Sequence, residues 1–320
     1  MDIEDLLLRG RLDDAVDLPP DQPFTLSLAN EAGLSRHHVR RLESAGVIRR
    51  TVAGVYVSSH LSDSVDLRAR CLRLVVPDDC VVVDRHAGWL LGASMVLAPN
   101  EHLGLRPLTL FRPSGHGRLR NDLVTSGERN LSDDDVTEVR GLRVTTPLRT
   151  AWDLGRVRWA DEAICGIDAM MRLDAFSREE FLGGVRRFRG MRWVTTLREM
   201  APRGDGRSES PGESVLRIRC LECGLPTMTP QVEVRRNGTL AARLDLANEE
   251  WRMAAEYDGA EWHSSSAQRR HDRARRAVIR TDGWLVEAFT GADVFGRDRE
   301  CYSRLIRLRD HAAARTRRSA

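Results

Sequence analysis

From residue 24 to residue 58 the hydrophobic positions change period. Leu26, Leu28 and Ala29 precede a turn at Ala32-Gly33-Leu34, after which Val39 and Leu42 share one face of a second helix with Ser35 as its N-cap. Gly46 stands where a C-cap glycine belongs. Two short strands then follow, 47–51 and Val55-Tyr56-Val57, turning at Ala53-Gly54. Residues 63–200 alternate short strands and helices, with strands predicted at 80–83, 108–111 and 142–144. A helix opens at Thr146-Pro147, and Ser177-Arg178-Glu179-Glu180 is a capping box. Between them Ala163, Ile164, Ile167, Met170 and Met171 fall at helical spacing as a core stripe. No catalytic constellation is visible there. Residues 201–208 are polar and glycine-rich, the composition of a linker.

The last third is more regular. Ser210-Pro211-Gly212-Glu213 opens a helix with a cap, an N1 proline and an N3 glutamate, and Gly224-Leu225-Pro226 closes it. A strand ending near Arg236 meets Asn237-Gly238, a strong hairpin signal. Strands over 241–247 and 251–258, a helix over 267–281, a strand over 284–289 and a helix near 297–311 complete the pattern. On the second strand Arg243, Asp245 and Ala247 share a face; on the third Arg252, Ala254, Glu256 and Asp258 do. A tight turn at Asn248-Glu249-Glu250 would pair Ala247 with Arg252 and set Asp245 opposite Ala254. Glu256 then becomes the diagonal neighbour of Asp245, about 7 Å away. A one-residue slip would undo this.

Acids are depleted in strands, so the pair asks for a reason. Two carboxylates so placed repel unless one is protonated or a cation bridges them. Oxygen-only ligands favour Mg²⁺ or Mn²⁺ over zinc, which makes Asp245 and Glu256 candidate metal ligands. Blander readings stand beside the others: Glu213 is explained by the capping box alone, Asp258-Gly259 is also a turn dipeptide, and His263 beside Trp262 reads as a loop residue.

Composition adds constraints. A chain of 320 residues implies two to three domains, and a net charge of +3 does not by itself argue for nucleic acid. The chain has no lysine, so all 50 Lys or Arg positions are arginine, a residue suited to bidentate phosphate contacts. The second helix of the first region carries Arg36, His37, His38, Arg40 and Arg41, and the hairpin adds Arg49 and Arg50. Helix, turn, helix and hairpin in that order make a winged helix-turn-helix, with a basic second helix suited to DNA. Arg269, Arg273, Arg276 and Arg280 recur at i, i+4, i+7 and i+11, a second stripe suited to phosphates. The acidic start and the lack of a long apolar run predict a cytoplasmic protein with no membrane segment. Cys220 and Cys223 form a Cys-x-x-Cys with no second pair, so packing is the better reading than zinc.

The first two regions resemble the AbiEi family of antitoxins from type IV toxin–antitoxin systems. The residues that carry this are Ala32-Gly33-Leu34-Ser35, Arg41-Leu42 with Ala45-Gly46, Gly54-Val55-Tyr56-Val57, and 145–150 followed by Trp152-Asp153-Leu154. The resemblance implies a DNA-binding regulator. The C-terminal region resembles the endonuclease-like domains related to very-short-patch repair enzymes, of the PD-(D/E)XK class, whose core order is α, three antiparallel strands, α, β. Here the residues are Glu213, Asp245, Glu256-Tyr257-Asp258-Gly259, His263, Asp272 with Arg275, and Gly283-Trp284. This resemblance implies that Asp245 and Glu256 hold the metal with Glu213 in support. It also implies that Asp258 and His263 complete a catalytic set, and that Arg275 contacts or braces the phosphate. One departure stands out: the general motif has lysine where this chain has Asp258.

The expected architecture is α/β and multidomain: a winged helix over 1–62, an AbiEi-like α/β domain and linker over 63–205, and an endonuclease-like domain over 206–320. The expected activity is Mg²⁺- or Mn²⁺-dependent hydrolysis of DNA. The expected site comprises Glu213, Asp245, Glu256, Asp258 and His263, with Arg36, Arg40, Arg41, Arg269, Arg273, Arg275 and Arg276 on DNA. The alternative is a non-catalytic regulator, with a cognate toxin protein as a further partner.

Overall fold

The computed structural model describes residues 3–12, 16–52, 54–62, 64–93, 96, 108–119, 124–236, 238–259, 279, 281–296 and 300–319. It is a mixed α/β protein whose described residues form three sheets. The chain divides into two compact units, Met1–Leu154 and Gly155–Ala320. Among the described residues no helix is long and apolar enough to cross a membrane.

The first unit opens with α1 (Ile3–Arg9), β1 (Phe24–Thr25), α2 (Leu26–Glu31), α3 (Arg36–Ser44), β2 (Ile48–Val52) and β3 (Val55–Ser58). Ser35 caps α3 as its sequence predicts, its Oγ accepting the His38 amide at 3.2 Å. Gly33 and Gly46 both take the left-handed backbone that ends each helix, with φ of 83° and 73°. The strands form a three-stranded sheet in the order β1-β3-β2. The helices are pinned by Leu34, Val39, Leu42 and Ile48, and also by Leu6, Leu12 and Leu18 from the chain before them. Alternation alone did not reveal α1 or β1, since two- and seven-residue elements carry too few periods.

A five-stranded sheet follows in the order β6-β5-β4-β8-β7. Its elements are α4 (Val65–Arg73), β4 (Val81–Val82), α5 (Asp84–Leu90), β5 (Leu108–Pro113), β6 (Val124–Arg129), β7 (Val136–Val139), β8 (Leu142–Thr145) and α6 (Pro147–Gly155). The Thr145-to-Asp153 segment is explained by a charge network. Arg149, 2% exposed, binds Asp135 at 2.8 Å and Asp153 at 2.9 Å; Arg129 binds Asp153 at 2.9 Å and Asp84 at 2.7 Å. Arg129 also lies 4.2 Å over the Phe111 ring. Removing Arg149 would take an ion-pair partner from two buried carboxylates at once, Asp135 and Asp153, at a cost of about 3–5 kcal/mol.

The second unit begins with α7 (Ala160–Met171), α8 (Arg178–Gly184) and α9 (Val194–Met200). The stretch 201–208, expected as a linker, is packed instead: Ala201 is buried, Ser208 is fully buried, and the Asp205 amide donates to Asp168 at 2.8 Å. Asp168, itself fully buried, also accepts Arg217 Nη2 at 2.6 Å, tying α7 to α10 (Pro211–Glu222). Desolvation pushes the Asp168 carboxyl up, against the pull of Arg217. After α10 come β9 (Thr229–Arg236), β10 (Thr239–Asn248), β11 (Met253–Asp258), β12 (Leu285–Thr290), α11 (Gly291–Phe295) and α12 (Glu300–Ser319). The sheet order is β12-β11-β10-β9, antiparallel throughout except that β12 runs parallel to β11. Strands β10 and β11 are therefore interior.

Candidate functional site

Helix α10 begins as its sequence predicts, with Ser210 Oγ accepting the Glu213 amide at 3.2 Å. The Glu213 side chain does something else. It does not turn back onto the Ser210 amide, the second half of a capping box. Its Oε2 accepts two bonds of 2.8 Å, from the Glu209 amide and from Gln231 Nε2 on β9. At 8% exposure this carboxylate is held between helix and sheet, which a surface cap does not require.

The β10–β11 ladder pairs Leu246 with Ala255, Ala247 with Ala254 and Asn248 with Met253. The expected pairing of Ala247 with Arg252, and of Asp245 with Ala254, is corrected by two residues. The turn is the cause. Asn248 stays in β10, its Oδ1 accepts the Trp251 amide at 2.9 Å, and Arg252 takes a left-handed φ of 47° to start the return. An even-numbered shift changes partners but not faces. One step beyond the last bridge, Asp245 falls in register with Glu256, on the same face. The ladder ends here, and Asp245 Oδ2 accepts the Tyr257 amide at 2.8 Å. Glu256 is 1% exposed and lies between β10 and β12, opposite Ala288 in the parallel pair. Asp258 ends β11 in register with Thr290.

Two residues to which the sequence assigned no role sit beside these acids. Leu244 pairs with Val232 and Leu246 with Pro230, which sets Gln231 opposite Asp245. Gln231 has a φ of 57° inside a strand. A left-handed non-glycine backbone costs about 1–3 kcal/mol and persists only where its surroundings hold it. Its Oε1 is buried and has no hydrogen-bond partner among the described residues. The amide orientation is fixed by chemistry, since an ionised carboxylate can only accept and Nε2 must face Glu213. In sequence Gln231 alternates with Val232 and Val234 like any solvent-facing polar residue, so nothing marked it.

The second is Tyr257. Its ring meets Phe295 edge-on at 6.4 Å. Three glycines make room for it: a Cβ on Gly212 would stand 2.1 Å from the ring, on Gly259 3.0 Å, and on Gly291 3.3 Å from its hydroxyl.

The remaining expected residues divide. His263, Asp272, Arg269, Arg273, Arg275, Arg276 and Arg280 lie outside the described residues. In the first unit Arg36 and Arg40 are exposed on α3, while Arg41 pairs with Glu4 at 2.7 Å. Among the described residues no group of three or more His, Cys, Asp or Glu side chains gathers in metal-binding geometry. Glu213, Asp245 and Glu256 carry oxygen donors only, and the buried Gln231 Oε1 has no hydrogen-bond partner among the described residues. That chemistry fits a hard cation such as Mg²⁺ or Mn²⁺ and not zinc. The thiols tell the same story, because burial pushes those of Cys220 and Cys223 up and that of Cys301 up to about 11. Thiols held protonated are poor ligands.

No family model matches the chain. It is similar to two uncharacterized proteins of Mycobacterium tuberculosis, from strains CDC 1551 and H37Rv, at 32% identity over 177 residues in each case. The match covers 55% of this chain, and the chain spans 65% of the length of each relative.

Proposed function

We propose that the second unit carries a metal-dependent nuclease of the PD-(D/E)XK type that hydrolyses DNA phosphodiester bonds, and that α2, α3 and the β2–β3 hairpin form a winged helix that recruits the duplex. The observation that carries this reading is Glu256, an acid almost wholly buried in an interior strand and in register with Asp245 one step past the last β10–β11 bridge. An acid inside a strand with a second acid in register beside it is an arrangement that a bridging cation would stabilise. Asp245 and Glu256 would hold the ion, with Glu213 beside them. A bound Mg²⁺ or Mn²⁺ would polarise the scissile phosphate and activate water for attack at phosphorus.

The chain's own residues divide the remaining work. Asp245 is oriented by the Tyr257 amide, and Glu213 is oriented by the Glu209 amide and Gln231. Exposed Arg36 and Arg40 supply phosphate contacts.

The test is supercoiled plasmid incubated with the full-length protein and Mg²⁺ or Mn²⁺, beside Asp245→Asn. The amide keeps the shape of the side chain but loses its charge, so metal-dependent nicking should disappear while folding and DNA affinity persist. DNA binding by the wild type with no cleavage under either metal, and no effect of Asp245→Asn, sinks the enzyme reading.

One observation favours a second reading. Asp258 stands where the class has lysine, and the chain has no lysine to take its place. A non-catalytic DNA-binding regulator of the antitoxin kind, with a toxin protein as partner, would tolerate that. The same plasmid assay separates the two.

A further inference from the structure

The strongest unexplained feature in the molecule is the amide of Gln231. Its nitrogen is committed to Glu213 Oε2 at 2.8 Å, while its oxygen is buried and meets no hydrogen-bond donor among the described residues. Buried polar atoms in folded proteins are nearly always paired, so an orphaned acceptor beside an acid asks for a missing ligand. Within one amide the oxygen lies a little over 2 Å from the nitrogen, so Oε1 stands within about 5 Å of the Glu213 carboxylate. The strand register sets the same residue opposite Asp245. Gln231 thus binds the helix-borne acid and shares a register position with the strand-borne one. Its left-handed backbone, with φ of 57°, keeps it in a conformation that a strand does not favour.

We infer that Gln231 is a positioning residue of the site: Nε2 fixes the Glu213 carboxylate, and Oε1 is a neutral oxygen that receives the hydrated divalent cation. This deepens the nuclease reading and rests on it. The donor set suits the role. An amide oxygen adds a hard ligand, or an acceptor for a metal-bound water, without a further negative charge among acids that already repel. A purely structural glutamine would spend both ends of its amide on the protein.

The test uses the full chain and Mn²⁺ alone, followed by isothermal titration and by thermal melting with and without the ion. Gln231→Leu keeps the bulk and loses both amide functions. It should weaken Mn²⁺ binding by about 10–100-fold, the effect typical of residues that orient metal ligands. Gln231→Glu replaces the donor facing Glu213 with a carboxylate. It should melt lower than wild type without metal and recover more than wild type when Mn²⁺ is added, a metal-dependent rescue that a packing role would not produce. Gln231→Gly removes the side chain but relieves the left-handed backbone, so it tests binding in a variant whose main chain is under less strain.

The outcomes separate cleanly. Wild type that binds Mn²⁺ while all three variants bind it equally well overturns the role of Gln231 and leaves the nuclease reading standing. Wild type that binds no Mn²⁺ overturns both. Weakened binding in Gln231→Leu and Gln231→Gly, with rescue of Gln231→Glu by Mn²⁺, supports the inference.

Discussion

Replacing Gly212 by alanine tests the packing that positions the acids. A methyl group there would lie 2.1 Å from the Tyr257 ring, against an ordinary carbon–carbon contact of about 3.5–4.0 Å. The ring has little room to retreat, because Gly259 and Gly291 approach it on other sides and Phe295 meets its edge. Overpacking of this kind costs about 1–3 kcal/mol. Alanine returns up to about 1 kcal/mol of helix propensity, less so in a first turn. The net expectation is destabilisation of about 1–2 kcal/mol, or roughly 2–8 °C in Tm for a unit of this size.

Gly183→Ala is the control. It is the same substitution in helix α8, where nothing lies within 4 Å of the added methyl, and it should raise Tm. Differential scanning calorimetry of both variants reads the two signs directly. Tyr257→Leu should shrink the cost of Gly212→Ala when the two are combined. A Gly212→Ala protein as stable as wild type, or a cost unchanged by Tyr257→Leu, would refute the argument that this ring sets the helix–sheet spacing.

Two further outcomes are expected. Replacing Arg36 and Arg40 together by alanine should flatten the dependence of log Kd on log salt by about two units, while adding Arg41→Ala should remove less than one more because Arg41 is paired with Glu4. An unchanged slope would mean that α3 does not dock on DNA. At Asp293 burial raises the carboxyl pKa, but the Thr290 hydrogen bonds and Arg304 outweigh it and hold the group below its ordinary value. The stability this contributes is therefore present above the usual carboxylate range and is lost as pH falls through the lower native value. Asp293→Asn should be less stable than wild type in urea at pH 7, with the gap closing towards pH 2–3; a gap that widens on acidification contradicts the assignment.

Much of the architecture was legible because the signals were local. Ser35, Ser177 and Ser210 cap the helices their sequences mark, and Gly238 turns the hairpin with a φ of 79°. The acids Asp245 and Glu256 stood out because strands rarely carry them. Their exact partnership did not, since the choice between reversing at 248 or at 249 depends on whether Arg252 accepts a left-handed backbone, a difference of energy and not of pattern. Gln231 was illegible for a similar reason: its alternation is ordinary and only its backbone and its partners are not. The strands β6 and β7 were missed because their half-buried residues show no clean alternation.

The parallel pairing of β12 with β11 makes the candidate site depend on a segment that contributes none of its acids. Every carboxylate named on the sheet and on α10 lies before residue 259, yet β11 becomes an interior strand only when residues 285–290 pair with it. A chain cut between Asp258 and Leu285 would keep the whole acidic set and expose β11 as a bare, largely apolar edge. Such an edge invites another strand to complete the ladder. Truncation there should therefore yield aggregated protein, not a minimal domain, and the shortest soluble fragment should reach past Thr290.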